Sequence, residues 1–357
     1  GFSTNLNNTP VVVLSNNDGC NISRSDEVKM IGVEQASPYF KSKNIIEKNN
    51  VATFSSNYNL YGDMSRRVID TLKILAGEKN VEVYSVDESF LDVSMVDENK
   101  LIEYGLHMRE IVEQWTGVSV SIGIAPTKTL AKIANHIAKK NKAETQCVAA
   151  LVSNVEINTV YKKNRVKEIR GIGRAYAEKL INWGITNAWD LCNMPEEWVR
   201  KNLGGVTGTR LVRELKGIPC LEMQEELQIK KMITTTRMFG RNVTALEDIK
   251  EAVATYTSRA AEKLRRQNCS ASVLSIFIVA KEESQSANFS HGAALHAQIN
   301  LELPTSVTSE LIAPALKLAE QIFIKGKEYK KAGVLLSGIV PENSIQSNLF
   351  VTEPQIN

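Results

Sequence analysis

The sequence has few of the residues that build disulfide frameworks and zinc sites. Its 357 residues include only four histidines and five cysteines, and no two cysteines form a CxxC pair. The cysteines lie at Cys20, Cys147, Cys192, Cys220 and Cys269. This spacing is typical of reduced thiols in a cytoplasmic protein, and it argues against a disulfide scaffold or a zinc site.

Long apolar runs are also missing from the sequence. No run approaches the roughly 20 apolar residues that a membrane-spanning helix needs, and nothing resembles a signal peptide. Hydrophobic residues at 43% and charged residues at 23% indicate a globular protein rather than a disordered or fibrous one. We therefore expect a cytoplasmic protein of two or three domains with no membrane partner.

The formal net charge of +3 is spread unevenly along the chain. Residues 1–158 carry a net −3, whereas residues 159–217 carry +6 and residues 229–340 carry +5. Lys and Arg hold phosphates, so an acidic first part followed by two basic parts suits carboxylate chemistry beside nucleic-acid contacts. Uneven charge is also common in soluble proteins, so this pattern is only supporting evidence.

The hydrophobic pattern predicts a multidomain protein with α/β and α+β parts. Its five segments are residues 1–158, 159–217, 218–228, 229–340 and 341–357. The first alternates helices with β-rich runs, and the second is all helical. The third has the composition of a linker. The fourth follows the order βαββαβ, and the last is a short tail. The β-rich runs of the first segment are residues 11–14, 81–93 and 118–124.

Two adjacent carboxylates, Asp87 and Glu88, interrupt the apolar stretch 84–92 (YSVDESFLD). Buried carboxylates are costly unless something positive neutralises them, and a pair of Mg²⁺ ions would do so. Polymerases use two metal ions to stabilise both the attacking and the leaving oxygen. Because neighbouring strand residues point to opposite faces, both side chains reach the same metals only if the backbone bends near them. A solvated turn without any metal is the alternative.

Three lysines share one face of a predicted helix over residues 127–140. Lys128, Lys132 and Lys139 lie at i, i+4 and i+11, with apolar residues on or near the opposite face. A stripe of ammonium groups close to a two-metal site is what a nucleoside triphosphate and a template backbone require. The lysines therefore predict contacts with nucleotide and DNA. The alternative is an ordinary solvated face of an amphipathic helix.

A Gly-x-Gly turn, Gly171 to Gly173, separates helices inside the most basic segment and is followed by Arg174. Such a turn resembles a helix-hairpin-helix, in which glycines let backbone N–H groups approach a phosphate closely. In a basic helical segment it predicts contact with a nucleic-acid backbone. Gly-x-Gly turns also simply join helices.

The tail contains the peptide 346–350 (QSNLF). Two apolar anchors, Leu349 and Phe350, together with the polar Gln346, predict docking into a pocket of a partner protein. A frayed terminus is the alternative.

Taken together, these segments resemble the Y-family translesion DNA polymerases, and among them the UmuC type. The resemblance covers nearly the whole chain and rests on the number and order of matching stretches. They are residues 10–20 (PVVVLSNNDGC), 54–65 (FSSNYNLYGDMS), 84–92, 123–135 (GIAPTKTLAKIAN), 170–173 (RGIG), 212–221 (VRELKGIPCL), 259–265 (RAAEKLR) and 329–333 (YKKAG).

The resemblance implies a palm and fingers in residues 1–158, a helical thumb in 159–217 and a little-finger domain in 229–340. It implies that Asp87 and Glu88 bind two Mg²⁺ ions and that Lys29 and Lys139 contact the incoming dNTP. Gly171 and Gly173 would sit at the thumb's duplex contact. Gln346, Leu349 and Phe350 resemble the family's sliding-clamp peptide. The implied function is error-prone synthesis past damaged bases in the SOS response, on primer-template DNA, with UmuD′-like partners and RecA.

One departure from the family concerns the first residues. Family members begin with a strand that carries another metal-binding Asp, and residues 2–10 match the stretch after the first helix instead. We therefore expect the chain as it stands to bind DNA but to polymerise poorly. Two other functions remain open from the sequence. A catalytically dead or fragmentary member would bind DNA and the clamp, whereas a helix-hairpin-helix nuclease or glycosylase would leave the Asp87 stretch unexplained.

Overall fold

The computed structural model describes residues 4–15, 18–224, 230–281 and 294–344. The chain divides into two compact units. The first comprises Gly1–Val13, Ser23–Glu34 and Asn44–Glu226, and the second comprises Leu14–Ile22, Gln35–Lys43 and Leu227–Asn357. Within the described ranges, no helix combines the length and apolarity needed to cross a membrane.

Up to residue 150, short strands alternate with helices, as the sequence predicts for an α/β part. The elements are β1 (Val11–Leu14), β2 (Asn21–Arg24), α1 (Asp26–Met30), α2 (Tyr39–Lys48), β3 (Ala52–Ser55), α3 (Tyr58–Ala76), β4 (Val81–Val83), β5 (Ser89–Leu91), α4 (Leu101–Thr116), β6 (Ile122–Ile124), α5 (Lys128–Lys140), α6 (Lys142–Thr145) and β7 (Val148–Ala150). Strands β4 and β5 pair antiparallel, whereas β6 and β7 pair parallel with α5 packed on them.

Two of the β-rich runs form less strand than their sequence pattern predicts. The run 81–93 is a hairpin of β4 and β5, and its connection contains Asp87 and Glu88. The run 118–124 is strand only at β6, whose partner β7 is also three residues long. Alternating apolar side chains indicate a strand. The number of residues that pair depends on the partner strand, which lies elsewhere in the sequence.

The following part is helical, as predicted. Its helices are α7 (Asn154–Lys163), α8 (Arg174–Asn182), α9 (Ala188–Cys192), α10 (Glu196–Asn202) and α11 (Val206–Leu215). Apolar residues of α5 and of these helices share one core, in which Leu130, Leu180 and Leu191 are fully buried. At Gly171 the backbone φ is +89°, a left-handed value that glycine adopts without steric penalty, so the chain can turn sharply before α8.

The second unit contains the predicted βαββαβ order. Its elements here are β8 (Met232–Val243), α12 (Leu246–Arg265), β9 (Cys269–Ala280), β10 (Ala294–Thr305), α13 (Thr308–Ile322) and β11 (Tyr329–Pro341). The strands form an antiparallel sheet in the order β10-β9-β11-β8. Alternate residues of β9 (Leu274, Ile276 and Ile278) are fully buried, and α12 and α13 pack on the sheet and on each other.

Candidate functional site

The adjacent carboxylates lie on the turn that joins β4 to β5. Backbone N–H groups of Tyr84 and Ser85 donate to the Glu88 carbonyl, at 3.1 and 2.9 Å, and close the turn. The Ser85 hydroxyl donates to Asp87 Oδ1 at 2.6 Å and accepts from the Asp87 N–H at 3.3 Å. Asp87 is exposed and Glu88 is half-buried. The bend expected at these carboxylates is therefore present.

This turn borders a cavity of about 480 Å³ in the first unit. Asp87, Glu88, Lys132 and Lys139 all contribute to its wall, and apolar residues of α3 line another part of it. The ammonium group of Lys132 forms an ion pair with Glu88 Oε2. Two carboxylates and two of the three predicted lysines thus meet at one cavity.

Asp92, the last carboxylate of the same stretch, is held differently. Its Oδ1 accepts from the Ser94 N–H at 3.0 Å. Hydrogen bonds from the Ser94 backbone and hydroxyl hold the pKa of Asp92 below its usual value. Asp92 is not among the residues that line the cavity.

Lys128, the third lysine of the predicted stripe, is mostly buried and forms an ion pair with Glu82. Its side chain is 11% exposed, and it also donates to the Glu222 carbonyl at 2.7 Å. Glu82 Oε2 accepts in addition from the Gln224 N–H at 2.9 Å. The contact with DNA predicted for Lys128 stays a prediction, since the observed partners of this lysine are protein groups.

A second buried carboxylate organises the same region. Glu214, only 1% exposed, accepts from the N–H groups of Thr129, Cys220 and Leu221 at 3.1, 2.6 and 3.2 Å. Thr129 lies in the first turn of α5, so Glu214 joins that helix to the chain after α11.

Arg170 joins the segment before the Gly-x-Gly turn to the hairpin that carries the carboxylates. Its guanidinium carbon lies 4.0 Å from the centre of the Tyr84 ring, and Lys132 Nζ lies 4.7 Å from the same centre. Tyr84 packs edge-to-face on Phe90, with ring centres 5.5 Å apart. The distances from Arg170 and Lys132 to the centre of the Tyr84 ring are cation–π distances.

The Gly-x-Gly turn itself is on the surface. Gly171, Gly173 and Arg174 are exposed, whereas Ile172 between them is buried in the helical core. Arg174 pairs with Glu178 one turn later at 2.9 Å, and its side chain is 93% exposed. Backbone and guanidinium groups of this turn are therefore accessible to a large ligand.

Lys29 is exposed on α1, where its ammonium group donates to Asp26 at 2.6 Å. Gln346, Leu349 and Phe350 lie outside the described residues, so the clamp-binding prediction concerns a part of the chain without a structural description. Among the described residues, no group of three or more His, Cys, Asp or Glu side chains is placed to hold a metal ion.

Sequence reasoning missed Glu82 and Glu214, and it assigned no contact to Arg170. Glu82 sits between valines in β4, and an acidic residue in such an apolar strand was the available signal. Glu214 has no such signal, because its partners are backbone groups up to 85 residues away. Arg170 was noticed as part of a motif, but its stacking on Tyr84 depends on the tertiary fold.

Comparison with known proteins shows the family of the chain. Residues 2–136 match the description "impB/mucB/samB family", and residues 230–349 match the C-terminal domain of that family. The chain is 38% identical to the protein UmuC of Salmonella typhimurium over 98% of this chain and 82% of UmuC. It is 37% identical to the protein SamB of the same species, over 98% of this chain and 81% of SamB.

Solved structures show the same fold at lower identity. A Y-family DNA polymerase chimera built from Dbh and Dpo4 matches with a TM-score of 0.77 at 18% identity, covering 95% of this chain and 94% of the chimera. An insertion ternary complex of the Dbh DNA polymerase matches with a TM-score of 0.60 at 19% identity, covering 95% and 94% of the two chains.

Proposed function

The chain belongs to the impB/mucB/samB family and is a Y-family DNA polymerase of the UmuC type, and from this membership we propose that the cavity beside Asp87 and Glu88 is its polymerase site. The function is error-prone translesion synthesis in the SOS response. The single observation that carries the site assignment is that both carboxylates and Lys139 line one cavity. We assign the palm and fingers to residues 1–158, the thumb to 159–217 and the little finger to 229–340.

Asp87 and Glu88 suit Mg²⁺ by chemistry. This ion is usually bound through one or two carboxylates together with waters and substrate phosphates, so a pair of carboxylates beside an open cavity fits it. When bound, a pair of such ions stabilises the attacking and leaving oxygens of nucleotidyl transfer. The accessible oxygens of Asp87 and Glu88 provide the protein ligands, and Ser85 orients the Asp87 carboxylate.

Lys132 and Lys139 of α5 supply positive charge to the wall of the same cavity. Lys139 in its last turn is exposed and is placed to neutralise the triphosphate of an incoming dNTP, together with Lys29. Lys132 compensates the charge of Glu88. DNA binding is assigned to Lys128, Lys132 and the exposed thumb turn, whose backbone amides and Arg174 suit phosphates without reading sequence.

The assignment is tested by Mg²⁺-dependent dNTP binding and incorporation on a primer with a lesion in the template. Asp87→Asn should abolish the Mg²⁺-dependent part of dNTP affinity and reduce any incorporation by on the order of a hundredfold. Asp92→Asn is the matched control, because this carboxylate lies in the same stretch but outside the cavity wall. Equal loss in both variants, or incorporation that survives Asp87→Asn, contradicts the assignment.

The tail peptide is proposed to bind the sliding clamp. Leu349 and Phe350 supply apolar anchors and Gln346 a polar one, a composition that suits a short peptide docked in a pocket. Replacing both Leu349 and Phe350 with Ala should abolish clamp binding in a pull-down and leave primer-template binding unchanged. Clamp capture at the parent level by this double variant would mean that the tail is not the clamp ligand.

UmuD′-like subunits and RecA are proposed as further partners, since the chain is of the UmuC type. Because its proposed substrate is DNA, we propose that the protein works in the cytoplasm. The proposal is tested by co-purification with purified UmuD′ and by stimulation of lesion bypass when RecA is added. A protein that neither binds UmuD′ nor responds to RecA would work without these partners.

A further inference from the structure

One carboxylate on α1 joins two lysines that lie far apart in the sequence. Asp26 Oδ1 accepts from Lys29 Nζ at 2.6 Å, and Oδ2 accepts from Lys142 Nζ at 2.5 Å. Lys29 is one turn further along α1, whereas Lys142 begins α6, directly beyond the end of α5. Asp26 therefore bridges two ammonium groups from separate elements.

This bridge is open to solvent and easily replaced. The side chains of Asp26, Lys29 and Lys142 are each 52–54% exposed. Hydrogen bonds from Lys142 and then Lys29 lower the pKa of Asp26 to about 2, so the carboxylate is ionised at neutral pH. Exposed ion pairs contribute little to stability, so a ligand with more negative charge at this position can displace the carboxylate.

The bridge also adjoins the proposed triphosphate contacts. Lys29 is one of them, and Lys142 follows the other, Lys139, by three residues. Two ammonium groups that share the two oxygens of one carboxylate are also placed to share two oxygens of a phosphate group. Each ammonium group acts as a point charge with several N–H donors, so either type of anion can accept from both lysines.

We propose that Asp26 occupies the position of a phosphate group between Lys29 and Lys142, and that the triphosphate of the incoming dNTP displaces it and binds Lys142 together with Lys29. The inference rests on the proposed function, because it takes the dNTP site beside Lys139 as its starting point. No covalent bond changes in this exchange. Phosphate oxygens accept the hydrogen bonds from Lys29 and Lys142 in place of Asp26, and the Asp26 carboxylate turns to solvent. Asp26 thereby weakens dNTP binding, and Lys142 strengthens it.

A second carboxylate with two cations offers a matched control. Asp63 accepts from Arg66 at 2.5 Å and from Arg67 at 3.0 Å, and all three residues lie on the single helix α3. These are ordinary pairs at i, i+3 and i, i+4. Asp63→Asn removes the same charge from the same kind of cluster, away from Lys29 and Lys142 in sequence.

The test is equilibrium binding of a Mg²⁺·dNTP to the protein on primer-template DNA, with inorganic tripolyphosphate as a competitor that cannot react. Asp26→Asn should lower the Kd for dNTP by about two- to fivefold. Lys142→Gln should raise this Kd by a similar factor, both in the parent protein and in the Asp26→Asn background. Asp63→Asn should leave the Kd unchanged, and thermal unfolding midpoints should show that all variants are folded.

Two results overturn the inference. One is an unchanged or higher Kd in Asp26→Asn. The other is a neutral Lys142→Gln in the Asp26→Asn background, which would make Lys142 a partner of Asp26 only. Either can occur while Asp87→Asn still abolishes Mg²⁺-dependent binding, so the proposed site survives. If the parent protein does not bind dNTP at all, the proposed function and this inference fall together.

Discussion

Single buried carboxylates hold the backbone together beside the candidate site. Glu82 and Glu214 are 7% and 1% exposed, and between them they accept from four backbone N–H groups and one lysine. Three of the four amides belong to residues 220–224, the stretch that follows the helical part. Charge at these two positions therefore serves local structure rather than catalysis.

Replacing Glu214 with Gln should lower the free energy of unfolding by about 2–4 kcal/mol, because an amide offers one acceptor oxygen where three backbone N–H groups now share the two oxygens of this buried carboxylate. Urea unfolding followed by helix circular dichroism measures this change. Glu196→Gln serves as a control, since Glu196 is 54% exposed and its pair with Arg213 is screened by solvent and should contribute little to stability. Equal midpoints for both variants would show that Glu214 is not a structural anchor.

Cysteine reactivity should follow burial. Desolvation raises the pKa of Cys192 to about 12, so at pH 8 only on the order of one thiol in 10⁴ is the reactive thiolate. Iodoacetamide labelling of the folded protein, read by mass spectrometry, should modify the half-buried Cys20, Cys147 and Cys220 well before Cys192. Labelling after denaturation should modify Cys192 as fast as the others. Rapid labelling of Cys192 in the folded state would mean that its helical core opens often.

At the scale of elements, β6 and α5 approach each other unusually closely, and Gly123 allows this. A Cβ added at Gly123 would lie 2.1 Å from the Asn135 N and 2.2 Å from the Ala131 O, both backbone atoms of α5. Since α5 carries Lys132 and Lys139, this contact helps to place the lysines relative to the strands.

Gly123→Ala should destabilise the first unit by at least about 2–3 kcal/mol, because strand and helix backbones would both have to shift. Gly62→Ala is the matched control. Gly62 lies inside α3 with no atom within 4 Å of its added Cβ, so this change should stabilise by about 0.5–1 kcal/mol. Differential scanning calorimetry distinguishes the two. An unchanged melting temperature in Gly123→Ala would show that the backbones of β6 and α5 are not in close contact at Gly123.

At the scale of the whole molecule, positive charge is concentrated in residues 159–217 and 229–340. Binding to primer-template DNA should therefore weaken by at least about tenfold on a fourfold rise in salt, and depend little on sequence. Arg174→Gln should reduce the slope of log affinity against log salt by about 1. Arg213→Gln should leave the slope unchanged, because Arg213 lies on α11, outside the thumb turn, and its side chain is 49% exposed against 93% for Arg174. A salt-insensitive isotherm would contradict binding through phosphates.

The sequence alone predicted the family and the fold class, and both are confirmed. The βαββαβ order of residues 229–340 followed from apolar residues that repeat about every 2 residues in strands and about every 3.6 residues in helices. This repeat is readable because local backbone geometry fixes the face on which each side chain lies. The family resemblance rested on many short stretches in a fixed order, and UmuC at 38% identity confirms it. The site residues remain predictions, although Asp87, Glu88, Lys132 and Lys139 do meet at one cavity.

Only the tertiary structure decided which charged side chains pair within the protein and which stay exposed. Lys128, Lys132 and Lys139 are equivalent in the helical pattern, yet Lys128 is buried against Glu82 and Lys139 is exposed. Likewise, the strand length at β6, the stacking of Arg170 on Tyr84 and the bridge from Asp26 to Lys142 depend on partners distant in sequence. The periodicity of a segment shows which face of that helix or strand is apolar. Ion pairs and strand partners depend instead on how the elements pack against each other, which the local sequence does not encode.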